Sequence, residues 1–198
     1  MEQRSALLIV DLQNDFCPGG SLPVAEGDRV VEPLNLAIQF FVSQELPVLA
    51  SRDWHPARSG HFKDYGGIWP PHCIQGSNGA DFHADLLLPD GAVIISKGIE
   101  PGSDGYSAFD GKSADGRTLQ DILSSLQVRH IFVGGLATDY CVQASVLGAR
   151  RAGFDVTVFT DAIAGVNIAP GDSEQALEKM GSAGARFCTV DDLVGTAR

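Results

Sequence analysis

Basic side chains are scarce in this sequence. Its 198 residues include 14 Lys and Arg against 25 Asp and Glu, which gives a formal net charge of −11. The sequence pI is about 4.7. A chain with this excess of acidic groups repels phosphate backbones and anionic lipid surfaces. We therefore expect neither nucleic acid nor a membrane as a partner.

Long hydrophobic runs are also lacking. The longest apolar run near the N-terminus, residues 6–10, is too short for the core of a signal peptide or for a membrane span. The four cysteines, Cys17, Cys73, Cys141 and Cys188, are scattered, and no secretory segment precedes them. The sequence therefore predicts a cytoplasmic protein without disulfides, in which a cysteine near His and Asp favours catalysis or metal binding.

Several organising motifs are absent as well. The sequence has no glycine-rich dinucleotide fingerprint, no phosphate-binding loop, no internal repeat and no linker. A nucleotide cofactor is therefore not indicated. Apolar residues make up 44% of the chain, and 198 residues suffice for one full hydrophobic core. We predict a single domain over residues 1–198.

Short continuous apolar runs alternate with amphipathic segments along the chain. Such runs predict strands covered on both faces, as in a parallel sheet. The predicted strands are residues 6–10, 47–51, 92–96, 130–133, 156–159 and 186–189. The predicted helices are a segment that runs through residue 41 with Asp28 as its N-cap, and residues 119–126, 140–152 and 173–182. The alternation predicts a three-layer α/β/α fold with a doubly wound sheet of about six mostly parallel strands.

Polar residues follow the first four predicted strands. They are Asp11, Asp53, Lys97 and the segment that leads to Cys141. In a parallel sheet the functional site lies beyond the carboxyl ends of the strands. A long irregular segment, residues 56–88, also leaves this edge, and a loop of that length in a compact domain is usually functional. We expect these side chains to form one site.

The segment IFVGGLATDYCV, residues 131–142, indicates a strand that breaks at two glycines and restarts as a helix. Asp139 is a suitable N-cap residue, which would place Cys141 in the first helical turn. Backbone N–H groups and the positive end of the helix would lower the thiol pKa and could hold an oxyanion. The alternative is a small, inert core cysteine, which remains open at this point.

A cysteine hydrolase also needs a group that takes and returns a proton. Asp11 is the candidate acid and base. Lys97 could favour the thiolate and help to keep Asp11 ionised. The alternatives are a turn carboxylate for Asp11 and a solvated loop residue for Lys97.

The second strand end and the long loop carry potential metal ligands, namely Asp53, His55, His61 and His72. In extended backbone, Asp53 and His55 point to the same side. One Asp with two or three His suits Zn²⁺, Fe²⁺ or Mn²⁺. Each histidine alone is more often a surface or hydrogen-bonded residue, and we interpret His83 and His130 in that way.

Five short motifs occur in order along essentially the whole chain. They are Asp11 after the first strand, Asp53-Trp54-His55-Pro56, Trp69-Pro70-Pro71-His72-Cys73, Lys97-Gly98 and Gly135-Leu136-Ala137-Thr138-Asp139-Tyr140-Cys141-Val142. Together they resemble the nicotinamidases, also called pyrazinamidases, of the isochorismatase-like cysteine hydrolases. Relatives that act on isochorismate or carbamoyl compounds generally lack the metal motifs.

The resemblance implies a role for each matching residue. It implies a catalytic triad of Asp11, Lys97 and Cys141, and metal ligands Asp53, His55 and His72, with His61 as a fourth ligand found in some members. It implies that Phe16 and Trp69 sandwich a pyridine ring, that Tyr106 is another pocket aromatic, and that the N–H groups of Ala137 and Cys141 form the oxyanion hole. A cis peptide between Leu136 and Ala137 is implied as well.

The implied activity is metal-dependent deamidation of nicotinamide to nicotinate and ammonia in NAD salvage, with pyrazinamide as a further substrate. The implied cofactor is one divalent metal ion, Zn²⁺ first, with Fe²⁺ or Mn²⁺ as alternatives. A related cysteine hydrolase for another amide, ureide or carbamoyl compound is the second hypothesis. The third is a non-enzymatic protein with a structural metal site and a core Cys141. The sequence leaves open whether the chain forms a homo-oligomer.

Overall fold

Six parallel strands form the central sheet of the computed structural model, which describes residues 4–195. They are β1 (Arg4–Val10), β2 (Val48–Asp53), β3 (Val93–Lys97), β4 (Val128–Leu136), β5 (Asp155–Ala164) and β6 (Arg186–Cys188). Their order across the sheet is β3-β2-β1-β4-β5-β6, and every neighbouring pair is parallel. The chain builds one half of the sheet from β1 to β3 and then crosses back to build the other half. This confirms the predicted doubly wound α/β fold.

The helices form two layers, one on each face of the sheet. They are α1 (Val31–Ser43), α2 (Leu119–Ser125), α3 (Gln143–Arg151), α4 (Asp172–Ser182) and α5 (Val190–Gly195). One core cluster joins the sheet to α1 and α5, and a second joins its other face to α2, α3 and α4. Among residues 4–195, no helix has both the length and the apolarity that a membrane crossing requires.

The sequence of β1 explains why it is central. Leu7 and Ile9 belong to the core cluster on one face, whereas Ala6, Leu8 and Val10 belong to the cluster on the other. All five side chains are at most 1% exposed. Full burial of one large aliphatic side chain contributes about 1.5–3 kcal/mol. A continuous apolar run is therefore required here, as the sequence indicated.

Three strand ends near the predicted site differ from the prediction, in two ways. β2 and β3 extend to Asp53 and Lys97 themselves, which are register partners at the edge of the sheet. β4 does not break at the two glycines, since Gly134 and Gly135 stay paired with β1. Both differences lengthen the sheet toward the site.

Other predicted boundaries of helices and strands also differ from those in the structure. Asp28 does not cap a helix, because Gly27–Val30 forms a 3-10 turn and α1 begins at Val31. β5 continues to Ala164 rather than ending at residue 159, and α5 was not predicted. The segment 56–88 is irregular as predicted, with two short 3-10 turns. Residues 1–3 and 196–198, which the predicted domain includes, lie outside the described residues, and the single-domain assignment stays a prediction.

We expect Gly135→Ala to lower the free energy of unfolding by more than about 3 kcal/mol, measured by urea denaturation. Gly135 has φ +123°, and a Cβ there would lie 2.0 Å from the Val10 carbonyl oxygen. Gly91→Ala is the matched control, because a Cβ at Gly91 meets nothing within 4 Å. Equal stability of the two variants would contradict this account.

Candidate active site

The Lys97 side chain lies at the centre of the polar cluster at the carboxyl edge of the sheet, and it is fully buried. Its Nζ lies 2.7 Å from Asp11 Oδ2, pairs with the Asp53 carboxylate and donates to the Gly105 carbonyl at 2.7 Å. It is also 3.4 Å from Cys141 Sγ. Although burial lowers its pKa, the two carboxylates raise the pKa of Lys97 well above its ordinary value. The structure therefore brings the residues after the first four strands together around one ammonium group.

Asp11 follows directly after β1 in the left-handed region, with φ 47°. The Ser51 hydroxyl donates to its Oδ1 at 2.8 Å, and Lys97 faces its Oδ2. Burial raises the pKa of Asp11 to about 6, despite the opposing effect of Lys97. A carboxyl with that pKa can accept and return a proton near neutral pH.

Cys141 lies in a π-helical turn, Thr138–Val142, that leads from β4 into α3. The predicted helix over residues 140–152 therefore starts as this wider turn. Asp139 does not cap it. Its carboxylate instead accepts from the backbone N–H groups of Val166 and Asn167 at 2.9 and 2.8 Å. The predicted N-cap is wrong because this carboxylate binds the loop after β5.

The thiol pKa of Cys141 also differs in direction from the prediction. Burial raises it well above the ordinary value, and the positive charge of Lys97 lowers it by less than that. The helix-end argument neglected the loss of hydration at a site where Cys141 is only 6% exposed. The thiol is therefore protonated at neutral pH, and Asp11 lies close enough to hydrogen-bond with it.

The imidazoles of His55, His61 and His72 come together, with one ring nitrogen of each within 4.8 Å of the others. Asp53 Oδ2 lies 3.6 Å from His55 Nε2 and 3.9 Å from His72 Nε2. Gly98 packs closely against one of these rings, since a Cβ at Gly98 would lie 2.4 Å from the His55 imidazole. The residues that the sequence proposed as ligands thus form one cluster.

Each of these imidazoles is oriented by an oxygen atom at Nδ1. The partners are the Gly98 carbonyl for His55 at 3.1 Å, Asp104 Oδ1 for His61 at 3.1 Å and the Pro70 carbonyl for His72 at 2.8 Å. An N–H at Nδ1 leaves the Nε2 lone pair for another partner. His55 Nε2 is buried without a hydrogen-bond partner among the described residues. This arrangement is typical of metal-binding histidines.

The charges of the cluster also fit a divalent cation. The buried Asp11 and Asp53 carboxylates face a single buried ammonium, which leaves one negative charge without compensation. Burial lowers the pKa of His61, and that of His72 to about 4, so both rings are neutral and able to bind a metal. Neutral imidazoles with one carboxylate are a donor set for an open metal site.

A pocket of about 380 Å³, including its mouth, opens above this cluster. Its lining includes Phe16, Trp69, Tyr106, Tyr140, Cys141, His61 and His72. The Trp69 indole N–H donates to Tyr106 Oη at 3.0 Å, and the Tyr140 ring packs edge-on against Trp69 with centroids 5.0 Å apart. The pocket therefore offers flat aromatic walls between the thiol and the imidazoles.

Sequence reasoning missed several supporting residues. Tyr140 and Val166 line the pocket, and Ser51, Gln13 and Asp104 bind residues of the site. Ser51 could have been found, because parallel pairing of the first two strands places it beside Asp11. Tyr140 directly precedes Cys141 in the same turn, whereas the contacts of Val166, Gln13 and Asp104 depend on loop paths that no local pattern indicates.

The remaining candidate side chains lie outside the cluster. Burial raises the pKa of the Cys17 thiol to about 11 and that of Cys73 well above its ordinary value, which favours the unreactive neutral thiol in both. His130 Nε2 pairs with Thr157 Oγ1 at 2.8 Å, and His83 Nδ1 accepts from the Asp85 N–H at 3.3 Å. Both histidines are thus hydrogen-bonded as interpreted.

We expect iodoacetamide to alkylate Cys141 in the metal-free protein with a pH midpoint higher than that of an ordinary cysteine, because burial raises the pKa of its thiol. The rate is followed by mass spectrometry of the Cys141 peptide. Cys188, which is more exposed, serves as the internal comparison. Rapid alkylation of Cys141 at pH 7 would instead support a preformed thiolate.

Residues 5–192 match the family model of the isochorismatase domain. A nicotinamidase of Escherichia coli is 43% identical in an alignment of 203 positions, which covers 94% of this chain and 95% of that protein. A nicotinamidase/pyrazinamidase of Mycobacterium tuberculosis is 38% identical and covers 90% of this chain and 95% of its own length.

A solved structure is similar as well. A pyrazinamidase of Pyrococcus horikoshii, determined in complex with zinc, has 42% sequence identity and a TM-score of 0.87. The alignment covers 94% of this chain and 99% of that one. The likeness therefore extends over nearly the whole fold.

Proposed function

This chain belongs to the isochorismatase family, and we propose that it is a nicotinamidase, which hydrolyses nicotinamide to nicotinate and ammonia. The observation that carries this proposal is the aromatic-walled pocket in which Cys141 faces His61 and His72. A flat heteroaromatic amide can stack there with its carboxamide near the thiol and its ring nitrogen near the imidazoles. The relatives that share 38–43% of the sequence carry the names nicotinamidase and pyrazinamidase. We extend the proposal to pyrazinamide and to a role in NAD salvage.

We propose roles for the clustered residues on the basis of their contacts. Asp11 is the acid and base, and Cys141 is the nucleophile. The Lys97 ammonium stabilises the negative charge of the Asp11 carboxylate and of the Cys141 thiolate. Phe16 and Trp69 stack on the ring, with Tyr106 beside them. The backbone N–H groups of Ala137 and Cys141 bind the oxyanion. The cis peptide that the resemblance implied between Leu136 and Ala137 is present.

The family likeness and the donor set support a divalent metal ion, and we propose zinc, with Fe²⁺ or Mn²⁺ as alternatives. Asp53, His55 and His72 would hold it, and His61 would be the fourth protein ligand. When bound, the metal would offer the ring nitrogen of the substrate a Lewis-acidic contact. The surplus negative charge near Lys97 would favour its binding.

In the first half of the reaction, Asp11 takes the proton of the Cys141 thiol. The sulfur attacks the carboxamide carbon, and the carbonyl electron pair moves to oxygen. The N–H groups of Ala137 and Cys141 stabilise that oxyanion. When the C–N bond breaks, Asp11 gives its proton to the departing ammonia, which leaves a thioester on Cys141.

In the second half, Asp11 takes a proton from water, and the hydroxide attacks the thioester carbon. The C–S bond breaks, and Asp11 returns its proton to the Cys141 sulfur. The acid product leaves and gives its carboxyl proton to water, which yields nicotinate. The aromatic walls keep the ring in one orientation during both halves. Such orientation can lower a barrier by several kcal/mol, up to about 7–11 in favourable cases.

The first test of this function is ammonia release from nicotinamide before and after removal of metal with a chelator. We expect activity to fall on chelation and to return when Zn²⁺, Fe²⁺ or Mn²⁺ is added. No ammonia from folded protein under any metal condition would overturn the proposal.

A second test separates the nucleophile from the metal site. We expect Cys141→Ala to lower kcat by more than about 10³-fold with the metal content unchanged, because the thioester cannot form. Cys188→Ala is the matched control, since Cys188 lies in β6, away from the pocket lining. Loss of metal and activity together in Cys141→Ala would indicate structural damage instead.

The pH profile tests the role of Asp11. Its pKa is raised to about 6, so the fraction of Asp11 able to accept the thiol proton falls as the pH drops through this value. We expect kcat/KM for nicotinamide to fall about tenfold per pH unit below that pKa. Metal analysis at each pH is the control, and an unchanged kcat/KM down to pH 4.5 with metal retained would exclude Asp11 as the base.

The hypothesis of another amide, ureide or carbamoyl substrate is not favoured, because the relatives at 38–43% identity carry the nicotinamidase and pyrazinamidase names.

We also propose a cytoplasmic location, which the four free cysteines support. Nicotinamide is the proposed small-molecule partner.

A further inference from the structure

We infer that Gln13 is a positioning residue for Asp53. Its buried side-chain amide binds the backbone N–H and carbonyl of Asp53, which have no partner in the neighbouring strand β1. The inference rests on the proposed function, in which Asp53 is a metal ligand. Nothing in the sequence singles out Gln13, which lies between Asp11 and the pocket residue Phe16.

The hydrogen bonds of Gln13 are directed at the backbone of Asp53. Its Oε1 accepts from the Asp53 N–H at 2.8 Å, and its Nε2 donates to the Asp53 carbonyl at 2.8 Å. The second Nε2 hydrogen is donated to the Ala80 carbonyl at 2.8 Å. Gln13 is fully buried, so water cannot replace these bonds.

The path of β1 explains why Asp53 needs such a partner. β1 and β2 are paired as far as Val10 and Ser51, and the Asp11 N–H still donates to the Ser51 carbonyl at 3.1 Å. The chain then turns at Asp11 in the left-handed region, and the Gln13 N–H bonds back to the Asp11 carbonyl at 2.8 Å. β1 therefore cannot bind the backbone of Asp53, two residues beyond Ser51.

The Gln13 amide supplies the donor and the acceptor that the next residue of a strand would have supplied. Without it, a buried N–H and a buried carbonyl would lack partners, which is strongly unfavourable. The same turn that places the Asp11 carboxylate beside Lys97 thus creates the gap that Gln13 fills.

The position of the Asp53 backbone determines where its carboxylate lies. That group pairs with Lys97 and directs Oδ2 toward His55 and His72, at 3.6 and 3.9 Å from their Nε2 atoms. Metal–ligand distances are tolerant only to about 0.2 Å. A small rotation of the Asp53 peptide would therefore weaken metal binding, although no metal ligand had changed.

The chain offers a matched control in the next residue. Asn14 Nδ2 donates to the Asn78 carbonyl at 2.8 Å, in the same Asn78–Ala80 turn that Gln13 reaches. Asn14→Ala therefore removes a tether to that turn without touching Asp53. Gln13→Met keeps a similar length and volume but removes all three hydrogen bonds.

The experiment measures zinc affinity by competition with a chromophoric chelator, starting from the metal-free full-length protein. We expect Gln13→Met to raise the zinc Kd about 10–100-fold, the usual effect of losing an outer-shell partner, and Asn14→Ala to stay within about threefold of wild type. The visible absorption spectrum of the Co²⁺ form should change in Gln13→Met alone. Urea unfolding of the metal-free proteins reports any loss of stability separately.

The outcomes distinguish this inference from the proposed function. A Gln13→Met protein that is less stable but has wild-type zinc affinity and a wild-type Co²⁺ spectrum would show that Gln13 is structural only. A wild-type protein that binds no zinc, iron or manganese would overturn the proposed metal site instead.

If Gln13→Met does not fold, Gln13→Glu keeps the length and an acceptor for the Asp53 N–H while it loses both donated bonds. We expect a raised zinc Kd in Gln13→Glu as well, and an unchanged one would overturn the inference.

Discussion

The site depends on one buried ion cluster, in which the Lys97 ammonium contacts the carboxylates of Asp11 and Asp53 and lies 3.4 Å from Cys141 Sγ. An ammonium group without solvent is tolerated only if opposite charges and hydrogen-bond acceptors surround it. The Gly105 carbonyl completes that environment. Removal of the Lys97 ammonium would leave two buried carboxylates without a positive partner. The ends of three strands and the turn after the fourth are thereby held together.

The same cluster gives its two carboxyl groups different chemistry. Burial raises the pKa of Asp11 to about 6, whereas the Lys97 ammonium outweighs burial at Asp53 and holds its pKa below the usual range. A carboxyl that titrates near neutral pH suits proton transfer, and one that is always ionised suits metal binding. Two similar groups can serve opposite purposes when their surroundings separate their pKa values. Because both contact Lys97, the proposed metal site and the proposed proton transfer are electrostatically coupled.

The pocket walls are held by groups that take no part in the chemistry. Asp139 accepts two backbone N–H groups of the loop after β5 and so places Val166 in the pocket lining next to the turn that carries Cys141. The Trp69–Tyr106 hydrogen bond fixes a second wall. Since these contacts join distant segments, the pocket can keep one shape without a substrate.

The pattern of residues was enough to predict the α/β class, the parallel sheet and the candidate cluster, because buried parallel strands require continuous apolar runs and place polar residues at one edge. Its short motifs also pointed to the family. The folded chain was needed to reveal the direction of the pKa shift of Cys141, the role of Asp139 and the contact of Gln13 with Asp53. These depend on burial and on loop paths between residues far apart in the chain. Local patterns record neighbours along the backbone, whereas desolvation and long-range hydrogen bonds exist only after the chain has folded.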